Sequence, residues 1–142
     1  MPTKLKTKDI EQTVSFKATP HEVYEMLMDS KKHAAFTGGE ALISRIEGGE
    51  IHAFDGYVNG KNIMLVPDKK IVQEWRSAEV GWPEDHFSIA TFTLSKSATG
   101  TKLLFTQTGV PAVCHKNISA GWKEYYWEPM QKMLEKSAKK KK

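Results

Sequence analysis

The last third of this chain limits what the rest can become. After Val110-Pro111, Ile118, Trp122, Tyr125, Tyr126, Met130, Met133 and Leu134 recur three or four residues apart and form one broad apolar helical face. Ahead of it the period is two. Ala41–Ile46, Ile51–Phe54, Tyr57–Val66, Ile71–Ser77, Phe87–Leu94 and Lys102–Thr108 read as six strands. Gly48-Gly49, Asp55-Gly56, Pro67-Asp68 and Thr99-Gly100 punctuate them as turns. A run of antiparallel strands with one apolar face needs a cover, and the C-terminal helix alone has the length and width to be one. An α+β chain follows, with a strongly curved antiparallel sheet of six or seven strands wrapped around a long C-terminal helix. Two features strain the pattern. Asn59-Gly60 falls inside the third strand and implies a bulge or a junction of two strands. Pro129 falls inside the helix, where it removes a hydrogen bond to the carbonyl of Tyr125 and bends the axis near residues 125–129.

The N-terminal third supplies a further strand and two short helices. Ile10–Phe16 alternates with Ile10, Val14 and Phe16 on one face, although Gln12 shares that face. Thr19, Pro20 and Glu22 form a capping-box start, followed by an apolar stripe of Val23, Tyr24 and Leu27. Ser30–Phe36 reads as a second helical turn stopped by Gly38-Gly39. The expected organisation is a basic arm over residues 1–9, one domain over 10–135 and a lysine-rich tail over 136–142.

Charge narrows the partners. The formal net charge is +4, yet Lys4, Lys6, Lys8, Lys136 and Lys139 to Lys142 exceed that whole surplus. Residues 9–135 hold 13 Lys plus Arg against 17 Asp plus Glu, a net of −4, and only Arg45 and Arg76 are arginine. Arginine is the preferred fork for phosphates and base edges, so no specific nucleic-acid partner is expected. No run of 18 apolar residues is present and the first residues lack a secretory core, so no membrane span and a cytoplasmic location are expected. The single cysteine, Cys114, fits a reducing compartment.

Catalytic and metal-binding patterns are absent from the sequence. His21, His33, His52, His86 and His115 are scattered without ligand spacing, so neither a metal nor a cofactor is expected. Cys114 and His115 are neighbours at a helix start, where adjacent side chains diverge by about 100°; a helix N-terminus could lower the thiol pKa, but a buried or oxidisable cysteine is expected rather than a nucleophile with its base. The expectation is a non-catalytic binding or regulatory domain. The aromatics say more. Trp75, Trp82, Trp122, Trp127, Tyr125 and Tyr126 include four within six residues of one helix, so they cannot all face the sheet. Trp122, Tyr126 and Met130 are expected inward, with Trp127 partly exposed. Phe36, Phe54, Trp75, Phe92, Phe105, Trp122, Tyr126 and Met130 then either fill the space beneath the helix or line a cavity for a small hydrophobic ligand.

Several ordered fragments carry a family resemblance. They include Ala18-Thr-Pro-His-Glu-Val-Tyr24, Gly48-Gly49 followed by Phe54-Asp-Gly56, Lys70-Ile-Val-Gln-Glu-Trp-Arg76, Trp82-Pro-Glu-Asp-His-Phe87 and Gly121-Trp-Lys-Glu-Tyr-Tyr126. From about Ile10 to Leu134 the chain resembles the C-terminal domain of the activator of heat-shock protein 90 ATPase, a branch of the START-related (SRPBCC) superfamily with the helix-grip fold. The resemblance implies a chaperone of the heat-shock protein 90 type as partner, and a co-chaperone role in modulating its ATPase. It singles out Trp82, Pro83, Glu84 and His86 as candidate partner-binding residues. In helix-grip proteins the space between sheet and helix is the usual ligand site, which favours the cavity alternative. The full co-chaperone also carries an N-terminal domain that nothing before Ile10 supplies. A domain without that tether is expected to bind more weakly, because the effective concentration of its contact is lost.

Overall fold

A computed structural model describes residues 6–140. Lys4, Lys141 and Lys142 of the two basic ends lie outside the described residues. In chain order the elements are β1 (Thr7–Phe16), α1 (Pro20–Met28), α2 (Ser30–Thr37), β2 (Leu42–Ile43), β3 (Glu50–Ala53) and β4 (Val58–Val66). They continue with β5 (Lys70–Ser77), β6 (Ser88–Ser97), β7 (Gly100–Pro111), α3 (His115–Trp122) and α4 (Glu128–Lys140), with a π turn over Lys123–Trp127 joining the last two. The seven strands form one antiparallel sheet in the order β1-β7-β6-β5-β4-β3-β2, and the helices cover its concave face. This is the helix-grip arrangement.

Local chemistry sets the element starts. Thr19 Oγ1 accepts from the Glu22 N–H at 3.1 Å while the Glu22 carboxylate accepts from the Thr19 N–H at 3.1 Å, so the capping box forms with Pro20 in the first turn. Asp29 caps α2 by accepting from the Lys32 N–H at 3.0 Å, and that bond holds its carboxyl below the usual range. Gly38 ends α2 with φ 79°, a left-handed conformation that glycine adopts without steric cost.

Three boundaries differ from the sequence pattern, each for a visible reason. Thr7 and Lys8 pair with Pro111 and Val110, and the Ala112 N–H reaches the Lys6 carbonyl, so the sheet starts inside the expected arm. The backbone helix of α4 likewise continues through residues 136–140 of the expected tail. The strand expected over Ala41–Ile46 shrinks to Leu42–Ile43. Past it, the carbonyls of Ser44 and Ile46 accept from the buried Asn62 side chain at 2.7 and 3.0 Å rather than from a ladder. Asn59-Gly60 pairs regularly; the register shift falls later, between Asn62 and Met64. Gly60 is required for close approach, since a Cβ there would stand 1.8 Å from the Glu74 carbonyl oxygen.

Pro129 is absorbed by a change of helical register. In the π turn the Glu128 N–H donates to the Lys123 carbonyl, five residues back, immediately before the proline whose ring and missing N–H an α turn could not accommodate. The widened turn also re-aims side chains. In an α-helix Trp122 and Trp127 would point about 140° apart. Here their rings stack, with centroids 5.5 Å apart and planes 19° from parallel. Trp127 is therefore buried, contrary to the expected partial exposure, and Tyr125 is the aromatic left facing outward.

Two glutamines of the sheet pin these rings. Gln107 accepts from Trp122 Nε1 at 2.7 Å, and Gln12 accepts from Trp127 Nε1 at 2.6 Å while donating to the Ser119 carbonyl at 3.0 Å. Gln12, the flaw in the alternation of β1, is thus a partner for the helix. A buried indole of about 200 Å² contributes roughly 5 kcal/mol at 25 cal/mol/Å², against about 1 kcal/mol for a hydrogen bond. Ring burial holds the helix down, and the glutamines set its orientation.

Candidate functional site

The helix closes on the sheet unevenly. Beneath its second half the aromatic rings interlock: Phe105 and Trp122 have centroids 4.3 Å apart, Trp122 and Tyr126 4.4 Å, and Phe92 and Phe105 5.1 Å. The space left between sheet and helices there is about 20 Å³, too small for an organic ligand. Beside its first half a groove of about 640 Å³ remains, within the usual size of small-molecule sites. Small or short side chains on the helix, Asn117, Ala120 and Gly121, leave this volume open. Trp75 and Ser77 from β5, Phe54 and the turn after β3 form the opposite wall.

Of the eight residues expected to line a cavity, Phe54, Trp75, Trp122 and Tyr126 line the groove. Phe92 reaches only the 20 Å³ remnant, and Phe36, Phe105 and Met130 reach neither space. These four are core residues because neighbouring rings occupy the volume they would have enclosed. Phe36 packs against His33 with centroids 5.0 Å apart and meets Tyr126 edge-on at 5.5 Å, and Met130 is fully buried.

The Trp82–His86 segment is a rigid corner. Trp82 is buried against Trp75, with centroids 5.6 Å apart, and its Nε1 donates to the His86 carbonyl at 2.8 Å. His86 Nε2 donates to the Gly109 carbonyl at 2.6 Å, and Arg76 Nε donates to the Pro83 carbonyl at 3.2 Å. Trp82 and His86 therefore anchor the loop. Glu84 and Asp85 face solvent, and Pro83 is half-buried.

Several groups escaped sequence reasoning. His33 sits in the core, where Nδ1 donates to the Leu27 carbonyl at 3.1 Å and Nε2 accepts from the Tyr126 hydroxyl at 2.9 Å. Burial lowers the imidazole to about 4 and raises the Tyr126 hydroxyl. The i, i+3 spacing of His33 and Phe36 was the available signal. Glu79, past the end of β5, lines the groove, and burial with the Glu79 carboxylate beside it pushes the Cys114 thiol up to about 11. His115 turns away from Cys114 and donates to the Asp9 carbonyl at 3.1 Å. Among the described residues no three His, Cys, Asp or Glu side chains converge to hold a metal ion, and no helix is long and apolar enough to cross a membrane.

Comparison with known proteins places this architecture. The family model described as Activator of Hsp90 ATPase homolog 1-like protein matches residues 17–135. The human Activator of 90 kDa heat shock protein ATPase homolog 1 is 34% identical over 125 residues, which is 88% of this chain and 36% of the human one. The mouse homolog 2 is 25% identical over 135 residues, 95% of this chain and 40% of that one. The chain thus spans little more than a third of the length of these relatives. Among solved structures, an HSP90 activator from Plasmodium falciparum superposes with a TM-score of 0.81 at 21% identity, covering 89% of this chain and 95% of that one. A protein from Chromobacterium violaceum gives 0.75 at 25% identity, covering 89% and 96%.

Proposed function

The chain belongs to the Activator of Hsp90 ATPase homolog 1-like family, and from that premise we propose that it binds a chaperone of the heat-shock protein 90 type and modulates its ATPase. The family match over residues 17–135 carries this reading, because it takes in the sheet, the covering helix and the Trp82–His86 corner together. The role is regulatory and not catalytic, in a cytoplasmic setting where the chaperone would be met. Pro83, Glu84 and Asp85 form the contact, held outward by the Trp82 and His86 anchors. An acidic tip on a domain whose residues 9–135 carry −4 would meet a basic surface of the chaperone.

Titrating the 142-residue chain into a chaperone of this class, while following ATP turnover, tests the reading. A saturable rate change is expected, and Glu84→Lys should weaken it without altering the melting temperature. No binding and no rate change at large excess would sink it.

The groove supports a second reading, a carrier of a small hydrophobic molecule. A ligand at 100 times its dissociation constant would add about 2.7 kcal/mol of stability. A thermal-shift screen with lipids and aromatic compounds would detect that, and a flat screen would count against it.

A further inference from the structure

We propose that the end of the sheet opposite the Trp82–His86 corner docks an extended acidic peptide. Its carboxylates meet Lys69 and Lys96, one of its apolar side chains fills the depression between them, and its backbone pairs with the free edge of β6.

The lysines reach that end from separate elements. Lys69 and Lys70 follow the turn between β4 and β5, Lys96 lies near the end of β6, and Lys17 follows Phe16, which pairs with Thr101 of β7. Two carboxylates at this end are already engaged. Asp68 accepts from His21 Nδ1 at 2.9 Å, and Glu22 accepts from the Thr19 N–H in the capping box. Lys69, Lys70 and Lys96 form no ion pair with a described residue. A domain whose residues 9–135 carry −4 thus presents one positive end.

Two further features say what fits. Among these lysines lies an open depression of about 570 Å³, with Pro20, Val66 and Leu94 in its wall. Beside it the sheet has a step. The pairing of β5 with β6 stops at Lys70 and Thr93, and the Lys69 carbonyl accepts from the Leu94 N–H at 2.8 Å. Past that bond β6 runs on to Ser97 against β7 alone. By the alternation of an antiparallel ladder, the Lys96 N–H and carbonyl point to the open side, as the Leu94 N–H does. An extended segment added there gains backbone bonds at Lys96 and places a side chain in the depression.

The depression suits a peptide better than other anionic partners. No arginine or aromatic side chain lines it to grip a nucleic acid. Its apolar atoms form a recess and do not project as a membrane anchor does, Leu94 being 5% and Val66 37% exposed. Docking here needs neither the chaperone contact nor the groove beside the helix.

Fluorescence anisotropy at about 50 mM salt tests the assignment with the full chain and three fluorescein-labelled peptides, EDLEVDE, EDSESDE and KKLKVKK. The first should bind saturably and about tenfold more tightly than the second, and the third should not bind. Lys69→Glu combined with Lys96→Glu should cost EDLEVDE about tenfold at an unchanged melting temperature, since both side chains are exposed. Lys31→Glu combined with Lys116→Glu makes the same charge change away from the depression and should leave affinity within about twofold. The lysine-rich tail is the same in both double variants, so it cannot produce that difference. Amide exchange at Lys96 should slow when EDLEVDE binds. Equal affinity for the two acidic peptides, equal losses in the two double variants, or an unprotected Lys96 amide would overturn the proposal. So would tighter binding of oligothymidylate or phosphatidylserine vesicles, or no saturable binding at millimolar peptide.

Discussion

The two halves of the C-terminal helix face the same sheet and do opposite things to it. From Trp122 onward, Trp122, Tyr126, Trp127 and Met130 press inward and leave about 20 Å³. Along the first half, Asn117, Ala120 and Gly121 leave about 640 Å³ open to solvent. Backbone architecture is common to both, so side-chain volume and the extra residue of the π turn decide whether a helix-grip space is core or groove. The filled half is polar only where it is paired, at Gln107, Gln12 and the His33–Tyr126 bond. The open half keeps the unpaired oxygen of Glu79.

Breaking the sealed half should have the largest effect. Trp122→Ala removes the ring that contacts Phe105, Trp75 and Tyr126 and strands the Gln107 acceptor. A loss of about 4 kcal/mol is expected in urea unfolding, and the groove should then run on into the interior.

Next comes pH. Unfolded, the His33 imidazole takes up its proton near 6.5; folded, burial holds it off until about 4. The unfolded state binds more protons throughout that window, so stability rises with pH across it. The contribution is complete above pH 6.5, falls by about 3 kcal/mol on descent to pH 4, and levels off below. His33→Gln should flatten that part of the profile in paired urea titrations; an unchanged slope would show that other groups cause it.

Trp127→Phe keeps a ring in place but leaves Gln12 Oε1 without its donor, for a loss of about 1–2 kcal/mol in the same assay. The smallest effect has the opposite sign and belongs to the open half. A Cβ at Gly121 would meet only Tyr125 Cδ2, at 3.7 Å, so Gly121→Ala should gain about 0.5–1 kcal/mol from helix propensity alone. A loss there would mean the groove is tighter than its geometry indicates.

Much of the fold was legible before any coordinates. Thr19, Pro20 and Glu22 announce α1 through a local hydrogen-bond pattern, and period-two alternation marks the long strands. Their physics acts over a few residues. The shortened β2 was not legible, because Asn62 claims the carbonyls of Ser44 and Ile46 from 18 and 16 residues away. Nor was the division of the eight cavity candidates into groove and core. Apolar pattern tells which way a side chain faces, not whether the opposite wall reaches it. Glu79 looked like any carboxylate past a strand end, and only the packing around Cys114 and the groove removed its oxygen from water.

From the sequence by itself came the order of elements, the covering role of the C-terminal helix, the resemblance carried by the Trp82–His86 and Lys70–Arg76 fragments, and the confinement of excess positive charge to the two ends. Tertiary structure alone decided which aromatics seal the interior, that a π turn absorbs Pro129 and carries Trp127 inward, and that one carboxylate oxygen lies unpartnered beside an aromatic groove. The division follows range. Capping, periodicity and charge are properties of neighbours along the chain, whereas cavity volume and polar satisfaction depend on atoms brought together from opposite ends of it.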